Sequence, residues 1–134
     1  MIEEYLMKQG KVIAPQLKWT VNNYVGVDAT GTVYEEGGSP GYINSDAKTL
    51  YPNYMFWIRS PKGSKNWDTA KAVAYKLFKQ LHKQRVNELV EVPELDTSYR
   101  VIFMQAMSTP IKIGVEDDVM TYSLNIQATI EEEL

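Results

Sequence analysis

The cleanest pattern of apolar and polar positions lies late in the chain. Met120, Tyr122, Leu124, Ile126, Ala128 and Ile130 alternate with Thr121, Ser123, Asn125, Gln127 and Thr129. Successive side chains of a strand point to opposite faces, so this segment predicts a strand with one face on the core and one polar face. Residues 54–60 (YMFWIRS) are apolar at nearly every position except Arg59. That suits an interior strand covered on both sides. Residues 99–107 read the same way, with Pro110 interrupting or ending the strand, and 114–118 read as a turn. The nearness of the 99–107 strand to the terminal one predicts an antiparallel hairpin.

A different period governs residues 67–81. Trp67, Ala70, Val73, Ala74, Leu77, Phe78 and Leu81 recur at three- and four-residue spacing, which makes one wide apolar stripe on a helix. Asn66 suits its N-cap, and Asp68 sits in its first turn. Lys79, His82, Lys83 and Arg85 crowd the far end, where each cation offsets the helix dipole by about 0.3–1 kcal/mol.

The flanking signals are weaker. Residues 1–9 predict a short helix with Ile2, Tyr5 and Leu6 on one face, Glu3 and Glu4 at its start, and Gly10 as its stop. Pro15 and the Asn22-Asn23 pair leave room for one or two strands, around 18–21 and 24–27. Residues 28–31 read as a turn and 32–34 as a short strand. The run Gly37-Gly38-Ser39-Pro40-Gly41 is the strongest loop signal, and the loop is expected to continue to Tyr51-Pro52. Loops beyond about 12–15 residues are usually functional or disordered. Residues 86–98, acidic and carrying Pro93, read as a connection. Glu131, Glu132 and Glu133 read as a terminal charge run that discourages further pairing at that end. The expected fold is a single α+β domain over residues 1–134. It has a mostly antiparallel or mixed sheet, one long amphipathic helix packed on it, and a short N-terminal helix.

Composition narrows the chemistry. The chain has 134 residues, 44% of them hydrophobic, which fits one domain. With no cysteine, it holds no disulfide, Cys-ligated zinc, iron–sulfur cluster or Cys nucleophile; with one histidine, it has no His-pair metal site. The first ten residues lack the apolar run of a secretory signal, and no window approaches the roughly 20 apolar residues of a membrane span. The net charge of -3 argues against binding nucleic acid with the whole surface. That charge is unevenly placed. Residues 59–85 hold eight basic residues and one acid, +7, while the remainder holds six basic and sixteen acidic residues, -10. Such a split can orient identical subunits by opposite-sign contact.

Catalytic constellations are hard to find. Glu116-Asp117-Asp118 reads as a solvated turn, without the alternating oxygens of a calcium loop. His82 reads as a dipole-compensating residue near the helix end. No Gly-x-Ser-x-Gly elbow or supported Ser-x-x-Lys pattern is present, and Ser60-Pro61-Lys62-Gly63-Ser64-Lys65 lacks the Gly-Lys-Ser/Thr order of a phosphate loop. No catalytic residue, cofactor or metal is expected. One alternative is a small enzyme or ligand-binding domain with a site under the Gly37–Gly41 loop, using Glu35, Glu36 or Asp28. Another is a nucleic-acid adaptor built on Lys76, Lys79 and Lys83. Trp57, Trp67, Tyr75 and Phe78 fall mostly on apolar faces, where a core would put them.

One ordered set of segments goes further. It comprises the short N-terminal helix, Val33-Tyr34-Glu35-Glu36-Gly37-Gly38-Ser39-Pro40, and then Tyr51-Pro52-Asn53-Tyr54-Met55-Phe56-Trp57-Ile58-Arg59. The helix with Ala70, Ala74 and Leu77 follows, ending in Leu81-His82. Next come Phe103-Met104-Gln105-Ala106-Met107-Ser108-Thr109-Pro110, Gly114 with Glu116-Asp117, and Tyr122-Ser123-Leu124-Asn125-Ile126. This resembles the tail terminator (tail completion, or minor capsid) proteins of long-tailed bacteriophages and prophages, over about residues 30–130; residues 11–27 have no counterpart in the pattern. The resemblance implies a non-enzymatic structural protein of the virion, assembled in the cytoplasm of the bacterial host. It implies a homo-oligomeric ring, usually of six subunits, that caps the growing tail tube, ends its polymerisation and meets the head-completion proteins. DNA would pass through such a ring without sequence-specific contact, and no membrane is involved. On this reading the interface residues are Glu36, Gly37, Gly38 and Tyr42 on the loop, and Lys76, Lys79 and Lys83 on the helix.

Overall fold

The alternating segment near the end becomes the longest strand and the centre of the sheet. In the computed structural model, which describes residues 1–23, 26–39 and 48–133, it runs over Val119–Glu133. The chain order is α1 (Glu3–Ile13), β1 (Lys18–Val21), β2 (Thr30–Ser39), β3 (Thr49–Arg59), α2 (Trp67–Leu81), β4 (Gln84–Val92), β5 (Thr97–Ala106), β6 (Ile111–Glu116) and β7 (Val119–Glu133), with 3-10 turns at Ser64–Asn66 and Pro93–Leu95. The strands lie in the order β1-β2-β3-β7-β5-β4, and β6 also pairs with β7. All pairings are antiparallel except β1 with β2, so the sheet is mixed. The expected α+β class, with two helices on one sheet, is what the chain forms.

β7 pairs along one flank with β3, from Arg59↔Thr121 to Thr49↔Glu131. Its other flank is shared. β5 takes the later half and β6 the earlier, with Ala106↔Ile126 and Ile111↔Ser123 on either side of the break. Pro110, buried and lacking an N–H, sits in that break. The expected interruption at Pro110 is therefore real, and so is the antiparallel pairing of the 99–107 segment with the terminal strand. β6 is a second, tighter partner between them. Only Asp117 and Asp118 form its turn, both with positive φ (51° and 64°) as a two-residue hairpin of this hand requires. The turn expected over 114–118 thus shrinks to two residues, because Gly114 and Glu116 are already in β6.

The core lies between one face of the sheet and the two helices. Tyr54, Phe56, Ile58, Leu124, Ile126, Ala128 and Ile130 are buried with Ile2 and Leu6 of the α1 region, and with Ala70, Val73, Ala74, Leu77 and Leu81 of α2. The opposite face of β3 is only partly covered, since Met55 and Trp57 are half-buried. The 54–60 segment is interior to the sheet but fully sealed on one side only.

Several expectations need correction. Gly10 does not stop the first helix, which continues to Ile13. It is there for closeness: a Cβ on Gly10 would lie 2.4 Å from the Trp19 ring, and one on Gly31 would lie 2.5 Å from the same ring. The 32–34 strand is ten residues long, taking in Thr30, Gly31 and the Gly37–Gly38–Ser39 half of the expected loop. β3 begins at Thr49, so Tyr51-Pro52 is strand rather than loop. Gly26 and Val27 lie outside any strand, while Tyr24, Val25 and residues 40–47 fall outside the described residues. The acidic 86–98 stretch is not a connection. It holds β4 and the start of β5, and its two-residue period is hidden by a register shift between Arg85 and Glu88. Glu131, Glu132 and Glu133 are paired, with Arg100↔Glu131, Tyr99↔Glu132 and Ser98↔Glu133. Their charge is offset by Arg100, whose Nε donates to Glu133 at 2.6 Å. Asn66 flanks α2 but gives it no side-chain cap; its Nδ2 donates back to the Lys62 carbonyl at 2.8 Å. Lys83 and Arg85 lie beyond the helix, Lys83 with φ 54° and Arg85 in β4.

Candidate functional site

Two regions carry the residues singled out from the sequence. The first is the far end of β2. Glu35 and Glu36 stand opposite Tyr54 and Asn53 of β3, and a register shift between Glu36 and Ser39 sets Gly37 and Gly38 in an irregularity of the ladder. Gly38 has no room for a side chain: a Cβ would meet the Tyr51 carbonyl oxygen at 2.2 Å and the Pro52 Cα at 2.6 Å. Gly37 has open space around it, and its carbonyl accepts the Asn53 Nδ2 hydrogen at 2.9 Å. Glu35 is tied in by the Met1 ammonium at 3.1 Å, and its backbone N–H donates to Asn22 Oδ1 at 2.8 Å. Met1, Glu36, Gly37, Leu50 and Pro52 edge an open hollow of about 280 Å³ here. Tyr42 falls outside the described residues.

Asp28 is not part of this region. It precedes β2, seven residues from Glu35, which along an extended strand is roughly 20 Å. Its carboxylate accepts the Lys62 backbone N–H at 3.0 Å and fastens the β3–α2 turn. The structure therefore does not bring Asp28 together with Glu35 and Glu36.

Because the bulge leaves Gly38 against backbone atoms, no rotamer change can relieve a methyl there. Gly38→Ala is expected to open the end of the β2–β3 ladder and lower stability by about 1–3 kcal/mol. Urea unfolding beside Gly37→Ala checks this. An equal loss at Gly37, where space is open, would contradict the packing account.

The second region is electrostatic. Lys71, Lys76 and Lys79 are exposed on α2, and exposed Lys83 follows just past its end. The helix end is fixed by His82, whose Nδ1 accepts the Ala106 N–H at 3.0 Å while its ring stacks on Phe78 at 4.9 Å. The imidazole thus anchors α2 to β5, a role the dipole argument alone did not reveal. An acidic cleft of about 560 Å³ lies between α1 and β4, lined among others by Glu3, Glu4, Glu88, Glu91 and Glu94, with Lys8 as its one lysine. The sequence showed the acids but not their convergence, since β4 is brought beside α1 only by the sheet. Tyr5, in the same cleft, has its hydroxyl pKa pushed up by burial and by the charge of Glu88.

Beneath these surfaces Tyr54 is fully buried, and its hydroxyl accepts the Ile2 N–H at 3.2 Å. Burial holds its pKa well above the usual phenol value, against the lowering effect of that hydrogen bond and with help from Glu35 and Glu3. Among the described residues, no cluster of three or more His, Cys, Asp or Glu is arranged to hold a metal ion. Among those residues, too, no helix is long and apolar enough to cross a membrane. No protein-family model matches the chain, and no curated protein sequence matches it.

Proposed function

We propose that the protein is a non-enzymatic structural subunit that joins copies of itself into a closed ring, acting as a tail terminator that caps a phage tail tube and meets the head. The observation that carries this reading is the segregation of charge onto separate elements: lysines along the outer side of α2, and five glutamates around the α1–β4 cleft. A ring needs a head-to-tail contact between two different patches of one subunit, and opposite charges on those patches favour that contact over like-on-like association. The sequence resemblance supplies the tail-tube partner. The residues offered to the ring contact are Lys76, Lys79 and Lys83 on one side and Glu88 and Glu91 on the other. Glu36, Gly37, Gly38 and the segment carrying Tyr42 are offered to the tube.

Light scattering at low salt, with and without purified tail tubes, tests the reading. The expected result is a ring-sized oligomer or stable retention on tubes, weakened by added salt and by Lys76→Glu with Lys79→Glu. A protein that stays monomeric at high concentration and does not bind tubes overturns it.

A further inference from the structure

Ion pairs on an exposed surface are weak, and salt screens them. The lysines and glutamates offered to the ring contact therefore need an apolar centre. Stable interfaces have one, with a few anchoring side chains packed inside a polar rim. Both patches of this chain carry the parts of such a centre.

On α2, Tyr75 and Phe78 lie three residues apart on one stripe, and His82 continues the row just past the helix. Tyr75 meets Phe78 edge-on with ring centroids 6.4 Å apart, and His82 stacks on the Phe78 ring. All three are only half-buried, so the aromatic row reaches solvent. Each ring is followed in sequence by a lysine, Lys76, Lys79 or Lys83, so one stripe of cations borders the row along its length.

The α1–β4 cleft has the opposite frame around a similar centre. Leu89 of β4 is 50% exposed, between Glu88 and Glu91, and half-buried Tyr5 and Val90 share the cleft with it. Val21 of β1 lines the cleft as well, so it opens between the two end strands of the sheet. A cavity of about 150 Å³ holds a benzene ring. The cleft, at about 560 Å³, has room for more than one aromatic side chain. Lys83 directly precedes β4 and Glu91 is its second-last residue, so the two patches lie roughly 25 Å apart along that strand. Within one subunit they do not meet; a head-to-tail contact brings one from each of two copies together.

We propose that Tyr75 and Phe78 of one copy enter the α1–β4 cleft of the next and pack on its Leu89, inside a rim where Lys76 and Lys79 face Glu88 and Glu91. The inference rests on the ring reading and names the apolar anchor of its contact.

Light scattering of the full chain at low salt tests it with Tyr75→Asp and Leu89→Asp, one on each patch. Each should leave the protein monomeric. Tyr75→Ala and Leu89→Ala, which add no charge, should each weaken association about tenfold or more. The replaced side chains are half-buried or exposed, so each variant should melt close to wild type, which separates loss of contact from loss of fold. A 1:1 mixture of the two Asp variants should form a dimer and nothing larger. In it, the intact aromatic row of one variant meets the intact cleft of the other, and the remaining patches are blocked. A mixture that stays monomeric overturns the proposal. Oligomers that survive all four substitutions yet fall apart with Lys76→Glu and Lys79→Glu also overturn it, and leave the ring reading standing. A wild-type protein that neither self-associates nor binds tubes removes both.

Discussion

Replacing Trp19 with alanine is expected to lower stability by about 3–5 kcal/mol, shifting the melting temperature by roughly 10 °C or more. The indole is the wedge between α1 and the start of the sheet. The six-membered half of the ring lies close against both Gly10 of α1 and Gly31 of β2, and it meets the Phe56 ring edge to face with centroids 6.3 Å apart. Its Nε1 donates to the Ala14 carbonyl at 2.9 Å, which satisfies a buried acceptor just past the helix end. Removing the ring leaves a cavity, an Ala14 carbonyl that keeps only the Leu17 N–H at 3.2 Å, and two glycines that have lost the ring packed against them. The same geometry fixes the sign of a second substitution. In an ordinary helix interior, Gly→Ala stabilises by about 1 kcal/mol. At Gly10 the added methyl overlaps the indole, so Gly10→Ala should destabilise despite its better helix propensity. Pairing Gly10→Ala with Trp19→Leu should recover part of the loss, because the clash and the large ring are removed together. A Gly10→Ala protein as stable as wild type would show that the indole does not hold the helix at this distance.

Raising the pH above about 10 is expected to unfold the protein progressively, with Tyr54 as the principal cause. An unfolded tyrosine loses its proton near pH 10. Buried Tyr54 keeps its proton in the folded state well above that value. Above pH 10 the folded state therefore binds more protons than the unfolded one, and stability falls as pH rises. The contribution is fully present below pH 10 and lost at about 1.4 kcal/mol per pH unit beyond it, roughly 2–3 kcal/mol by pH 12. Tyr5 and Tyr99 are shifted in the same direction, chiefly by burial, and add to the slope. Tyr54→Phe separates the effects. It should cost about 1–3 kcal/mol at neutral pH, because the Ile2 N–H loses its acceptor. It should also flatten the decline above pH 10. Urea unfolding at a series of pH values reads both changes, and parallel curves for wild type and variant would rule out Tyr54 as the source.

The elements legible in the sequence are those whose period survives intact. β7 alternates without a break over residues 120–130, and α2 keeps its stripe from Ala70 to Leu81, so each is recovered nearly whole. β4 stays hidden in the sequence, because Glu88 interrupts the in-phase positions Val86, Val90 and Val92, Leu89 falls on the other phase, and a register shift lies beside them. β2 reads shorter in the sequence than it is, because of the glycine pair near its end. Gly37 and Gly38 carry the composition of a loop, yet Gly38 is required by the closeness of the Tyr51–Pro52 backbone within a ladder. Gly10 shows the same limit, since a helix stop and a bed for an indole look alike until Trp19 is placed. The parallel pairing of β1 with β2 left no local sign at all. It depends on a connection of only eight residues, with positive φ at Asn22, Gly26 and Ala29. At the candidate site, the lysines of α2 were visible from their spacing, whereas the acidic cleft needed the sheet to carry Glu88 and Glu91 to α1.

β7 has one further consequence, set by its place in the chain. It follows every strand that it joins, so translation delivers β1–β2–β3 and β4–β5 first, as two pieces that share no ladder. Until residues 119–133 emerge, the inner edges of β3 and β5 have no partner to bond. Closure of the sheet must therefore await the last-made strand, through contacts distant in sequence, which places folding of this domain in the slow range of milliseconds to seconds. A ribosome stalled before residue 119 would present two open edges to the cell, and to the chaperones that recognise them.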